Sequence, residues 1–260
     1  MYLELKAPTI LQRLATANYQ ESPYMTLNKR KLRALSRENA KVKNVRTVVS
    51  LHMKFDNDCV PDLKYIRGVF GIELTTLLSA YKAELPFVVT QCVAEVEARG
   101  LTTEGIYRLS GFAEEIDAIK MALDKDGEKA DLSVDKYPNI NVITGALKLY
   151  LRILPVPLIT FEVHPLLIDA IQHEKNDLQL SSIKHALLSL PKPHYDTLKF
   201  MIEHLYSRLT RTNKQNEFVE FGDSVRPTLI HHPPNLIWDV RSDILLLEIM
   251  INNCEQLFGK

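Results

Sequence analysis

Beyond residue 72, apolar residues return at steps of three and four along most of the chain, the mark of helices with one buried face. Phe87, Val88, Cys92, Val93 and Val96 form the first clear stripe, and Gly100 supplies its stop. Ile116, Ile119 and Leu123 form a second, opened by Glu114 and Glu115, acids that suit the positive end of a helix dipole. A third helix is predicted from Asn141 to Ile153, closed by Pro155 and Pro157. Others are predicted over Phe161–Gln172, over Leu178–Leu190 ahead of Pro191, and from His194 onward with Leu198, Ile202, Leu205 and Leu209. The last, Val240–Leu257, puts Ile244, Leu247, Met250, Ile251 and Cys254 on its buried side. Alternating runs are few, so the pattern predicts an all-α fold of roughly seven to nine helices joined by short loops.

The first 50 residues read differently. Leu11, Leu14, Leu32 and Leu35 give short apolar beats crowded by polar and basic residues, and fragmentary helix or disorder is expected there. Residues 51–70 are mixed, with Pro61 as a breaker. The whole chain has 260 residues and a formal net charge of zero, which argues against a general nucleic-acid binder. That zero is uneven. Lys29, Arg30, Lys31, Arg33, Arg37, Lys41, Lys43 and Arg46 face a single acid, Glu38, so a basic arm precedes a mildly acidic body. No apolar run approaches the roughly 20 residues needed to span a bilayer; the run Ile244–Leu247 ends at Glu248. The start MYLELKAP has neither basic head nor apolar stretch, so no secretory signal is expected and the cytoplasm is the expected location. Cys59, Cys92 and Cys254 are odd in number and far apart, which fits a reducing compartment.

No self-contained active site is legible. GxSxG, HExxH and P-loop patterns are absent, and Glu114 and Glu115, being adjacent, cannot converge as a hydrolytic pair. His185 and His204 fall within amphipathic helices and are expected at the surface. Two features stand out. In Gly105-Ile-Tyr-Arg108-Leu-Ser-Gly111 an arginine sits in a glycine-bounded loop, with Ile106 and Leu109 available to pin the loop to the body. Taken alone, Arg108 reads more readily as a local ion pair than as a functional group. Lys148 and Arg152, four residues apart, share one helix face while Leu147, Leu151 and Leu154 take another. Two like charges at that spacing gain nothing from each other, so the face is either a solvated basic surface or a seat for an anionic partner.

These two motifs, GIYRLSG and then GALKLYLRILPVPLIT, resemble a Rho-family GTPase-activating (RhoGAP) domain, in the right order and separation, over roughly Ile72 to Phe258. DGEKADLSVDKYPNINVITGALKLYLR and the upstream NDCVPDLKYIRGVF are similar to the chimaerin subfamily in particular. The resemblance implies a RhoGAP domain over 71–260 that is not itself an enzyme but supplies a catalytic arginine to a GTP-bound, Rac-like GTPase. Arg108 is then the arginine finger. Lys148 and Arg152 hold the finger loop and the GTPase switch regions, and Asn216, in Asn216-Glu-Phe-Val-Glu-Phe-Gly222, is a further GTPase contact. No cofactor or metal of its own is implied, GTP and Mg²⁺ belonging to the partner. The competing expectation is a GAP-fold module that binds a GTPase or another partner without accelerating hydrolysis.

The sequence departs from the family pattern at two places. Glu217 stands where a leucine is expected, and Asp223-Ser-Val-Arg226 intervenes before Pro227-Thr-Leu229, as if four residues were inserted beside a GTPase-contacting helix. Upstream, residues 1–50 look like the tail of a Src-homology-2 module with a basic linker. Residues 51–70 look like the last piece of a zinc-binding diacylglycerol module, with Cys59 its remaining zinc-type ligand. Cys59 with His52 cannot close a four-ligand site, so no zinc and no diacylglycerol response are expected. Weak contact of Lys29–Arg46 with anionic membrane, and recruitment to it, remains an expectation from charge.

Overall fold

The computed structural model describes residues 68–212, 224–230 and 239–259. Apart from residues 68–70, the predicted remnants at 1–50 and 51–70 lie outside the described residues, as do the basic arm, His52, Cys59 and Asn216.

The described chain is helical, without strands among the described residues. Helix α1 (Leu74–Tyr81) starts at Glu73, whose carboxylate accepts from the backbone N–H groups of Thr75 and Thr76 at 3.0 and 2.6 Å. Burial alone would raise the Glu73 pKa, but hydrogen bonding involving His194 and these threonines prevails and holds it at about 2. Helix α2 (Phe87–Arg99) buries the predicted stripe and stops at Gly100. Helix α3 (Ala113–Asp126) carries Glu114 and Glu115 in its first turn and buries Ile119 and Leu123. Helix α4 (Ile140–Arg152), capped by the Asn139 side chain on the Asn141 N–H, is buried over most of its circumference and packs on both α2 and α3. It is the central rod of this half.

The second half is built from α5 (His164–Ile171), α6 (Asn176–Leu187), α7 (Lys192–Thr212), α8 (224–229), α9 (Val240–Asn252) and α10 (Cys254–Phe258). Helix α7 joins the halves, since it packs on α1 as well as on α9 and α10. All seven predicted helices are present, α1 and α8 are added to them, and the predicted last helix is split into α9 and α10. The predicted last helix divides because Asn253 turns its side-chain amide onto the Ile249 carbonyl at 2.9 Å and leaves helical geometry there. The predicted Phe161 start moves to His164, with Pro165 in the first turn, where its missing N–H costs nothing.

Two surface expectations need correction. Leu109 is 46% exposed and does not pin its loop. His204 is 3% exposed, because two hydrogen-bonding partners take up its ring nitrogens in the interior.

Candidate functional site

The loop after α2 owes its shape to three residues. Gly105 has φ of +68° and Tyr107 has φ of +66°. Glycine enters this left-handed region freely, whereas a tyrosine there costs on the order of 1–3 kcal/mol unless its surroundings hold it. At the loop's end, a Cβ on Gly111 would lie 2.6 Å from the Val142 Cα, so only glycine lets this strand of chain touch the start of α4. Between these points the Gly105 carbonyl accepts from the N–H groups of Arg108 and Leu109 at 3.0 and 2.8 Å. The turn buries Ile106 and Tyr107, each 1% exposed, and leaves Arg108 exposed at its tip. Ile106 and Tyr107, not Leu109, are the apolar pins.

Tyr107 is gripped twice. Its carbonyl accepts from Lys148 Nζ at 2.5 Å, and its hydroxyl meets His204 Nε2 at 2.7 Å. Burial pushes the Tyr107 phenol far above its ordinary pKa, so it remains a neutral O–H. Lys148 is half-buried, and burial, followed by the nearby Arg152 cation, lowers its pKa. Arg152 is exposed. The two cations do share a helix face, as the spacing predicted, but they are turned to different tasks: Lys148 inward onto the loop, Arg152 outward.

Beside them lies a groove of about 320 Å³. Ser110 and Asp117 line it together with Gly145, Lys148 and Arg152, and residues of the 224–230 segment (Ser224, Pro227, Thr228) complete it. Gly145 is again a matter of space: a Cβ there would meet Ile116 Cδ1 at 2.5 Å, so α3 and α4 approach closely under the groove.

The 224–230 wall is anchored through a buried carboxylate. Asp243 on α9, 1% exposed, places Oδ1 2.8 Å from His164 Nε2 and Oδ2 3.6 Å from an Arg226 guanidinium nitrogen. Val225, Leu229 and Ile230 of the same segment are buried in the core. Arg226 thus turns inward in the stretch that departs from the family pattern. The sequence reading missed this cluster and the partners of His204. The available signal for the first was an acid, Asp243, one turn ahead of Leu246 and Leu247 on an apolar stripe. Among the described residues, no group of three or more His, Cys, Asp and Glu side chains could hold a metal ion, and no helix is long and apolar enough to cross a membrane.

Comparison with known proteins gives one consistent answer. The RhoGAP domain family matches residues 86–219. The chain is 43% identical to beta-chimaerin of Rattus norvegicus over 221 residues, covering 83% of this chain and 74% of that protein. It is 44% identical to N-chimaerin of Homo sapiens over 208 residues, covering 78% of this chain but only 45% of that protein. The crystal structure of human Rho GTPase activating protein 15 superposes with a TM-score of 0.68 at 28% identity, over 74% of this chain and 93% of that one.

Proposed function

We propose, this chain being a member of the RhoGAP domain family, that it accelerates GTP hydrolysis by a Rho-family GTPase by inserting Arg108 into the GTPase active site. The observation that carries this reading is the exposure of Arg108 at the tip of a loop whose neighbouring residue, Tyr107, is buried and held by Lys148. A flexible arginine would lose much of its effect to the cost of being ordered; one presented on a rigid turn avoids that cost.

The chemistry follows from charge. During phosphoryl transfer, negative charge builds on the transferring oxygens and the leaving group, and the GTPase's own Mg²⁺ and backbone neutralise it incompletely. A planar guanidinium entering in trans bridges two oxygens and excludes water, worth on the order of 10³–10⁵ in rate. Lysine, a point charge, cannot reproduce that geometry. In this reading Lys148 positions the loop, Arg152 faces the partner's anionic surface, and Asn216 adds a GTPase contact. Nucleotide and Mg²⁺ come with the partner. A Rac-like GTPase is the proposed partner, on the likeness to the chimaerins, and action in the cytoplasm with recruitment of Lys29–Arg46 to anionic membrane belongs to the same proposal.

The test is single-turnover GTP hydrolysis by several purified Rho-family GTPases, with and without this protein. Strong stimulation, greatest for a Rac-like GTPase and lost in Arg108→Ala while binding persists, is expected. Binding of the GTP-loaded GTPase with no stimulation would instead establish a non-catalytic interaction module.

A further inference from the structure

A chain of polar groups runs beneath the finger loop. The Tyr107 hydroxyl lies 2.7 Å from His204 Nε2, and His204 Nδ1 lies 2.9 Å from Glu97 Oε1. The three residues come from three places: the loop, α7 and α2. The tyrosine and imidazole rings meet edge-on, centroids 6.0 Å apart and planes at 69°. A carboxylate only accepts, so Nδ1 carries a proton and donates to Glu97. In the neutral ring Nε2 is then left as an acceptor, and the Tyr107 O–H donates to it. One turn further along α7, the buried Arg208 reaches the Leu101 carbonyl at 3.4 Å, at the beginning of the same loop. The loop is therefore held from one side by Lys148 of α4 and from the other by α7.

We propose that His204, oriented by Glu97, is a positioning residue for Arg108: it fixes the Tyr107 side chain, and through it the left-handed peptide from which the finger projects. The inference rests on the finger reading of Arg108. Tyr107 and His204 are each almost wholly buried, so neither adds contact area for a partner. Their effect falls on how often the guanidinium stands in the productive place, not on whether the partner binds. Displacement of a catalytic group by about 1 Å is enough to cost on the order of 10²-fold.

The experiment titrates the full chain into a GTP-loaded Rac-like GTPase under single-turnover conditions, which separates the maximal stimulated rate from the half-saturating concentration. Tyr107→Phe keeps the ring and removes only the hydroxyl; Glu97→Ala and Glu97→Gln alter a side chain that is half exposed, so folding is spared. Tyr107→Phe and Glu97→Ala are expected to lower the maximal rate about tenfold while the half-saturating concentration stays within about twofold. Glu97→Gln, which keeps an acceptor for Nδ1, is expected to recover most of that loss. Thermal unfolding of each variant is recorded alongside. If Arg108→Ala abolishes stimulation while Tyr107→Phe and Glu97→Ala match the parent, the positioning chain is refuted and the finger stands. A fall in rate and affinity together, in proportion to lost thermal stability, also refutes it. If Arg108→Ala itself stimulates like the parent, the finger reading fails first.

Discussion

The Arg108 loop and the 224–230 wall border the same groove, but different forces hold them. The loop body is held by hydrogen bonds to neutral groups, Lys148 to a carbonyl and a phenol to an imidazole, with the Ile106 side chain and the Tyr107 ring buried beneath. The wall is held by Asp243, a carboxylate almost fully removed from water, shared between His164 and Arg226. Hydrogen bonds to neutral groups each contribute about 0.5–1.5 kcal/mol net, so losing one loosens a structure by degrees. A buried ionic cluster adds little when intact, yet leaves an uncompensated charge in the interior when one member is removed. The loop should therefore fail gradually, in rate, and the wall abruptly, in stability.

The largest expected effect lies at the loop's tip. Arg108→Lys keeps the charge and loses the planar fork, and should retain less than about a hundredth of the parent's stimulated rate while binding the GTPase comparably. Single-turnover rates beside pull-down of the GTP-loaded GTPase measure both. Recovery to near-parent rates would mean that charge alone suffices, and that the elaborate holding of the loop serves some other end.

Next comes the wall. Asp243→Ala should cost about 3–5 kcal/mol of unfolding free energy, read from urea or thermal denaturation, whereas Tyr107→Phe should cost no more than about 1.5 kcal/mol. Equal losses in the two variants would erase the contrast between the regions.

A smaller effect is expected with pH. Burial holds the His204 pKa below its ordinary 6.5, against the raising pull of Glu97. Below about pH 6.5 the unfolded chain takes up a proton that the folded chain refuses. Stability should then fall as pH drops through that range, with a slope of at most about 1.4 kcal/mol per pH unit from this group. His204→Gln should remove that part of the acid limb and leave the rest. An unchanged limb would assign the acid sensitivity to groups outside the loop's support.

The smallest effect separates the two cations of α4. Arg152→Ala should weaken association with the GTP-loaded GTPase by roughly two- to fivefold and flatten its dependence on salt, as expected for an exposed charge. Lys148→Ala should act mainly on the maximal rate. If both variants show the same salt slope as the parent, α4 presents only a solvated basic face.

Much of this was legible in the residues themselves. Helices α2, α3, α4 and α7 follow from apolar steps of three and four, and Gly100 marks a real stop, because period and capping are local properties of the chain. Gly105 and Gly111 flank the loop for separate reasons that sequence can register but not distinguish: one supplies a left-handed turn, the other a close approach to Val142. Lys148 and Arg152 were correctly put on one face, since four residues make just over one turn.

What only the tertiary structure decided is which polar groups find partners. His204 read as a surface residue because a histidine among leucines on an amphipathic helix has no visible mate nearby in sequence. Its mates, Tyr107 and Glu97, are 97 and 107 residues away. Asp243 and His164 are separated by 79 residues and Lys148 and the Tyr107 carbonyl by 41. Periodicity tells a chain which face to bury, because that preference is set by each residue against water. It carries no information on which buried polar atoms will meet, because that depends on how whole helices settle against one another, and it is there that the loop acquires its shape and its hold on Arg108.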